Sequence, residues 1–179
     1  MINRILTYYT EKLQDYLSRT FSQPEGCAVV GFVGNSSEPK PNKMVVSLLC
    51  LDRDPLMGNS SSTSRSMSAF LSNKPTLFMN LDIVLAAIFE EKRYAESLSF
   101  LSGTLLFIQS NPLFSFEGVT YTVEVVSLTS QDMNNIWSEL GGQYYPSVVC
   151  KIRHLAFDAG TGRAGGQISS RPEINTSHD

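Results

Sequence analysis

Apolar positions recur along this 179-residue chain with two periods, one typical of helices and one typical of strands. Spacings of three and four residues predict helices over residues 2–20, 90–110 and 130–140. We therefore predict one α+β domain over residues 1–157, in which three helices pack on a mixed or antiparallel sheet of five or six strands. The first two strands are expected to form a hairpin. Alternating or wholly apolar runs predict strands at residues 26–33, 44–51, 76–85, 113–116, 119–128 and 147–157.

The second predicted helix carries a continuous apolar stripe. Proline at position 112 ends this helix, because proline cannot continue the hydrogen-bond ladder and disfavours helix at the residue before it. Its last turns, at residues 104–108, are apolar on nearly all sides, so we expect this end to be buried. The stripe alternates in steps of four and three residues through Tyr94, Leu98, Leu101, Leu105 and Ile108.

Residues 130–157 combine a capped helix, a glycine turn and a long strand. A threonine and a serine at the start suit the N-cap, and the glycine pair at residues 141–142 suits a left-handed stop. Lys151 and Arg153 alternate with the core-facing strand residues and should point outward. The helix and the strand are expected to face one core through Met133, Ile136, Trp137, Leu140, Val148, Cys150 and Ile152.

Two segments lack any apolar rhythm. Residues 52–74 form a long serine-rich loop, in which Phe70 and Leu71 are apolar enough to dock on another surface. This loop is either mobile in the isolated subunit and ordered by a neighbour, or a solvated linker without a role. Residues 158–179 are rich in glycine and polar residues, and we predict a flexible C-terminal tail.

Composition narrows the class of protein. Charged residues make up 17% of the chain, which leaves much neutral surface. Such a surface fits either a subunit that buries its outside against partners or an ordinary serine- and asparagine-rich exterior. The net charge is −3, and no basic tract indicates nucleic-acid binding. No apolar run suggests a secretory signal or a membrane span, so synthesis in the cytoplasm is expected. Cys27, Cys50 and Cys150 lie in apolar runs and should be buried free thiols.

No residue pattern predicts catalysis, a cofactor or a metal. Glycine-rich phosphate loops and nucleophile elbows are absent from the sequence, and the chain has only two histidines. Asp82 falls near the middle of a predicted strand and is expected to have a partner there. His154 is expected to be structural. An enzyme is therefore not predicted. A small ligand-binding domain is the distant alternative, and it would require Asn80, Asp82 and His154 to line a pocket.

Several motifs resemble the tail-terminator, or tube-cap, proteins of extracellular contractile injection systems, which are particles of the antifeeding-prophage and virulence-cassette type. The most specific segment is LTSQDMNNIWSELGGQYYPSVVCKIRHL, and YAESLSFLSGTLLFIQSNPLF also fits. The resemblance covers most of residues 1–157. It is carried by Asn134, Asn135, Trp137, Leu140, Gly141, Tyr144 or Tyr145, Pro146, Ser147 and Val148, and by Phe107, Gln109 and Pro112.

This resemblance implies a structural subunit of a phage-tail-like particle, either released or retained. Six copies would form a ring on the end of the inner tube distal to the baseplate, stop its growth and anchor the last sheath ring. The partners implied are further copies of the chain, the inner tube protein and the sheath protein. A baseplate or tube-initiating adaptor of the same kind of particle is the alternative.

The side chains that we predict at subunit or tube interfaces lie outside the expected core. Reversing the charges of Lys151 and Arg153 is expected to weaken ring assembly and to leave the subunit folded. The full set of interface candidates is Tyr144, Tyr145, Lys151, Arg153, Glu124, Phe70 and Leu71.

Overall fold

A computed structural model describes residues 1–23, 26–34, 39–55 and 76–157, and within them three helices accompany one six-stranded sheet. The α+β prediction is therefore confirmed. Phe70, Leu71, most of the predicted loop and the predicted tail lie outside the described residues. The helices are α1 (Ile2–Phe21), α2 (Tyr94–Ser110) and α3 (Ser130–Glu139), with a short 3-10 turn (Glu91–Arg93) before α2. The strands are β1 (Ala28–Val30), β2 (Lys43–Arg53), β3 (Leu77–Ile88), β4 (Leu113–Phe116), β5 (Val119–Val125) and β6 (Ser147–Phe157).

The sheet is mixed, with the strand order β1-β2-β3-β6-β5-β4. Every neighbouring pair is antiparallel except β1 and β2, which run in the same direction with Ala28 opposite Met44. The predicted hairpin between the first two strands is therefore wrong. About a dozen residues separate these strands, and such a connection is long enough to return the chain to the start of a parallel neighbour.

One face of the sheet curls around α1 and α2 and forms the larger core. Ile5, Leu13 and Leu17 of α1 are fully buried in it. The helix reaches both ends of the sheet: the side-chain oxygen of Gln14 accepts a hydrogen bond from the Ala28 N–H of β1 at 2.6 Å, and the Tyr9 ring packs 5.2 Å from the Phe114 ring of β4. The central strands supply the opposite wall through Leu81, Ile83, Leu85, Cys150 and Ile152.

The other face of the sheet is covered at one end by α3. Trp137 is buried there against Val84 and Val149. The predicted stripe of α3 is confirmed, but the prediction that it shares one core with Val148, Cys150 and Ile152 is wrong. Successive side chains of β6 point to opposite faces, so Val149 meets α3 while its neighbours meet α1 and α2.

The ends of α3 follow the sequence prediction. Thr129 is the N-cap, and it forms a capping box in which its side chain accepts the Asp132 N–H while Asp132 accepts the Thr129 N–H. Hydrogen bonds from the Thr129 side chain and backbone lower the pKa of Asp132. Gly141 and Gly142 have φ values of 109° and 79°, which is the left-handed stop that the glycine pair predicted.

The buried face of α2 differs from the predicted stripe. Ser97, Phe100, Gly103, Thr104 and Phe107 are buried, along with Ile108. Within the predicted stripe, Tyr94, Leu98 and Leu105 are exposed, as is the neighbouring Leu106, so the prediction that the end of the helix is buried on all sides is also wrong. Because the last turns of α2 are apolar nearly all round, periodicity alone did not select the buried side of the helix. On the side that is buried, Gly103 lies close to Leu17 and Phe21 of α1.

We expect Gly103→Val to lower the free energy of unfolding by about 1–3 kcal/mol, because the site has no room for a branched side chain. A Cβ atom at this position would lie 3.1 Å from both Leu17 Cδ2 and Phe21 Cε2. The Phe21 ring is stacked on the Phe100 ring with 4.5 Å between centroids, so Phe21 can move aside only if this stack is disturbed. Urea unfolding measures the effect, with Gly103→Ala as the smaller matched change. A valine variant as stable as the wild type would contradict this packing.

Candidate assembly surfaces

A charged band crosses the part of the second sheet face that α3 leaves uncovered. The strand register places Cys50, Asp82, Lys151 and Glu124 in one row across β2, β3, β6 and β5. Asp52 and Arg153 lie in the next rows on the same face. We call the set of Asp52, Asp82, Glu124, Lys151 and Arg153 the charged band. Three of its members are acids and two are bases, and both bases are paired with acids of the same subunit.

Lys151 is the centre of this band. Its Nζ atom lies 2.7 Å from Asp52 Oδ2 and 3.0 Å from Asp82 Oδ1. The predicted partner for Asp82 is therefore present. The hydrogen bond from Lys151 lowers the pKa of Asp52. Burial favours a lower pKa for Lys151, but the hydrogen bonds to Asp52 and Asp82 outweigh it and raise that pKa.

Arg153 forms the second ion pair of the band. Its Nε atom donates to Glu124 Oε2 at 2.9 Å, and this bond raises the pKa of Arg153. The Glu124 side chain is 48% exposed, close to the 51% of Asp52 and well above the 17% of Asp82. Both predicted interface cations thus have partners in their own subunit. Reversing the charge of Lys151 would place a carboxylate against Asp52 and Asp82, so this change should also lower the stability of the subunit.

Cys50, Asp52 and Asp82 bring three potential metal ligands within 4.8 Å of one another. The Lys151 ammonium group already provides the cation between the two carboxylates. Burial and a hydrogen bond to Asp82 raise the pKa of Cys50 to about 11, so this group is a neutral thiol near neutral pH and a poor metal ligand. Cys50 is exposed, so the prediction of three buried thiols holds for Cys27 and Cys150 only.

The two predicted interface tyrosines have different environments. Tyr144 is 62% exposed and meets Trp137 edge-on with 5.7 Å between ring centroids. Tyr145 is buried in the core under α3, where it also contacts Trp137, and Lys40 Nζ lies 5.3 Å from the centre of its ring. Tyr144 is therefore available to a partner molecule, whereas Tyr145 serves packing.

The polar residues proposed for a ligand pocket lie around a β-bulge. The register between β3 and β6 shifts opposite Asn80, and His154 adopts a left-handed φ of 74° at this point. Histidine is among the residues that tolerate this conformation better than most. The bulge accounts for the placement of His154 without a ligand, and Asp82 is engaged by Lys151.

α2 carries an exposed apolar stripe that shares three residues with the stripe predicted from the sequence. Its members are Tyr94, Leu98, Leu105 and Leu106, which are 41–59% exposed. We call these four residues the α2 stripe. The helical spacing found three of these four residues. The sequence has no signal, however, that distinguishes an apolar helix face exposed in the subunit from one buried in its core. No helix in the described ranges is both long and apolar enough to cross a membrane.

Comparisons with known proteins agree on one relationship. Two solved structures share the fold: a sheath/tube terminator of the extracellular contractile injection system PVC, in the extended state, and the tube-terminating cap of the anti-feeding prophage. The first is 13% identical with a TM-score of 0.56 and covers 94% of this chain. The second is 11% identical with a TM-score of 0.58 and covers 97%.

The chain spans 64% and 61% of the lengths of those two proteins. No curated protein matches it significantly. The sequence profile of the Pvc16 N-terminal domain matches residues 9–171, which is most of the chain. These findings confirm the resemblance drawn from the motifs around Trp137. This chain belongs to the Pvc16 N-terminal domain family.

Proposed function

We propose that this protein is a structural cap of a contractile injection system that ends the inner tube distal to the baseplate. The observation that carries the proposal is the agreement between the family match over residues 9–171 and the fold shared with two tube-terminating proteins. In the proposed role, copies of the chain form a sixfold ring, stop tube growth and anchor the last sheath ring. The inner tube and sheath proteins are the partners.

The surfaces of the subunit support a role in assembly. A ring built from one contact type needs two different patches on each copy, since a heterologous contact closes by rotation. The α2 stripe provides an apolar patch, and apolar residues dominate the centres of permanent interfaces. Tyr144 and the open ion pair of Arg153 with Glu124 offer aromatic and charged contacts elsewhere. We assign the lateral contact to the α2 stripe and the contacts that fix register to these polar residues.

A structural function also suits the chemistry of the described residues. The bases of the acid-base cluster on the sheet are paired with its acids, and the left-handed His154 has a backbone explanation. We therefore propose a protein without catalytic activity or cofactor, made in the bacterial cytoplasm and built into the particle there.

Deleting the gene should produce particles with tubes or sheaths of uncontrolled length, or particles that fall apart. Negative-stain microscopy measures the length distribution, and restoring the wild-type chain from a plasmid is the control. Particles of normal length and stability in the deletion strain would refute the cap function.

A second measurement separates the cap from a baseplate adaptor. Gold labelling of a tagged chain should mark only the end of the particle opposite the baseplate. Label at the baseplate end would support the adaptor instead. The tagged chain must first be shown to restore normal particle length in the deletion strain.

A further inference from the structure

The two edges of the sheet differ in how they are protected. At the β1 edge, the side chain of Gln14 accepts the N–H of Ala28, and the strand has only three residues. At the β4 edge, the sequence Leu113–Phe116 is also short, with four residues, but it has no charge, proline or bulge, which are further devices that keep an edge from pairing.

The backbone of β4 presents unpaired groups to the outside. β4 and β5 are joined by a two-residue turn, Glu117-Gly118, with φ values of 51° and 79°, and this turn pairs Phe116 with Val119. From this pair onward, hydrogen-bonded residue pairs alternate with pairs that are not hydrogen-bonded. The bond from the Val123 N–H to the Pro112 carbonyl, at 2.8 Å, agrees with this alternation. The N–H and C=O groups of Leu113 and Ser115 therefore point away from β5, towards the open edge.

A groove of about 620 Å³ lies along this open edge, between β4, α1 and the end of α2. Its aromatic lining includes Tyr8, Tyr16, Phe107 and Phe114, and Leu113 and Ser115 of the edge itself also line it. Lys12, Asp15 and Arg19 stand around it, and none of the three forms an ion pair with a described residue. The groove thus has an aromatic floor and one excess positive charge. We call it the β4 groove.

We propose that the β4 groove binds an extended segment of another protein, which joins the sheet as an additional strand beside β4. Main-chain hydrogen bonds to Leu113 and Ser115 hold the segment, as in other cases of strand addition. Every second side chain of the added strand lies on the α1 side. An apolar or aromatic side chain there packs against Tyr8, Tyr16 and Phe107, and a carboxylate on the same side reaches Lys12 or Arg19.

The occupant is a different protein with alternating apolar and acidic residues, because such a segment complements the excess positive charge of the groove. A second copy of this chain would offer its own Leu113 to Phe116 edge, which carries no acidic residue. The proposal goes beyond the cap function and does not depend on it, since the groove is complete in a single subunit.

In the test, a display library of random peptides is selected for binding to the full chain. The peptides have about ten residues, which is the length of a long strand. We expect enriched peptides to alternate apolar residues with at least one acidic residue. Fluorescence anisotropy then measures their affinity for variants. Ser115→Pro removes an outward N–H without breaking a bond to β5, and proline is tolerated on such edges. It should weaken binding by about tenfold or more, which corresponds to losing one well-formed main-chain bond.

A second variant and two controls make the outcome decisive. The double change Lys12→Glu and Arg19→Glu should also weaken binding about tenfold. Glu11→Lys changes an exposed charge of α1 outside the groove and should leave affinity unchanged. A copy of each peptide with alternate backbone nitrogens methylated should fail to bind. The proposal is overturned if no peptide is enriched, or if enriched peptides bind both groove variants as tightly as the wild type. It is also overturned if light scattering shows that the edge is occupied by a second copy, with a dimer that Ser115→Pro dissociates.

Discussion

The Lys151→Glu variant should lose about 3 kcal/mol of unfolding free energy near neutral pH. Lys151 is only 19% exposed and compensates two carboxylates at 2.7 and 3.0 Å. Removing the cation leaves Asp82, which is only 17% exposed, without compensation, and the new carboxylate repels both Asp82 and the more exposed Asp52. Urea unfolding at about pH 7 measures the loss.

The cost of Lys151→Glu should depend on pH in a defined direction. The pKa of Asp52 is lowered from its ordinary value of 3.8, so its contribution is present above that value and is lost as the pH falls through the lowered pKa. The pKa of Lys151 is raised from 10.5, so its contribution is present below that value and is lost at still higher pH. The difference between variant and wild type should therefore shrink as the pH falls below about 4, where the carboxyl groups become neutral.

Two further variants separate the ion cluster from other effects of the substitution. Lys151→Met keeps most of the side-chain stem without the charge and should be destabilised by about 2 kcal/mol. Arg153→Met removes only the more open pair with Glu124 and should cost less than about 1 kcal/mol. If Lys151→Glu proves no more harmful than Arg153→Met, Lys151 does not compensate the acids in solution, and the charged band is not a structural element.

The double variant Leu98→Glu with Leu105→Glu should prevent incorporation of the protein into particles. These side chains are 41% and 42% exposed in the subunit, so two carboxylates there remain hydrated until a neighbouring copy covers them. Burying unpaired carboxylates in an apolar contact is strongly unfavourable, and a ring repeats the penalty at each contact. The amount of the chain that purifies with particles should fall by at least about tenfold.

The unfolding free energy shows whether this loss comes from assembly or from folding. We expect it to fall by no more than about 2 kcal/mol, since both leucines are partly exposed. The double change Asn3→Glu with Thr7→Glu adds the same charge to exposed positions of α1 and should be incorporated normally. Normal incorporation of the leucine variant would show that the α2 stripe makes no contact in the ring.

Local signals in the sequence predicted the elements well. The capping residues around Thr129 and the glycine pair after Leu140 located α3, and the alternation around Cys150 located β6 with the bounds that the structure shows. These features depend on residues close together in the chain. Periodicity likewise found the apolar stripe on α3 and three of the four residues of the α2 stripe.

Features that depend on distant residues were not predictable in the same way. The parallel pairing of β1 depends on the path of its connection, and the side of α2 that is buried depends on the contact of Gly103 with α1. The partners of Lys151 come from β2 and β3, 99 and 69 residues away along the chain. The alternation in β6 predicts that Lys151 faces away from the side chains next to it in the strand. It does not predict that Asp52 and Asp82 lie beside Lys151.

The position of β6 has a consequence for synthesis of the protein. This strand is the last element of the described chain, yet it lies between β3 and β5, and within the described residues it is the strand that joins the two halves of the sheet. While a ribosome still holds β6, the β1-β2-β3 and β5-β4 halves cannot join, and the core around α1 remains open. Such dependence on distant pairing slows folding. A nascent chain thus cannot present a finished subunit before β6 has emerged, so chains that end before β6 lack a completed subunit to offer a growing particle.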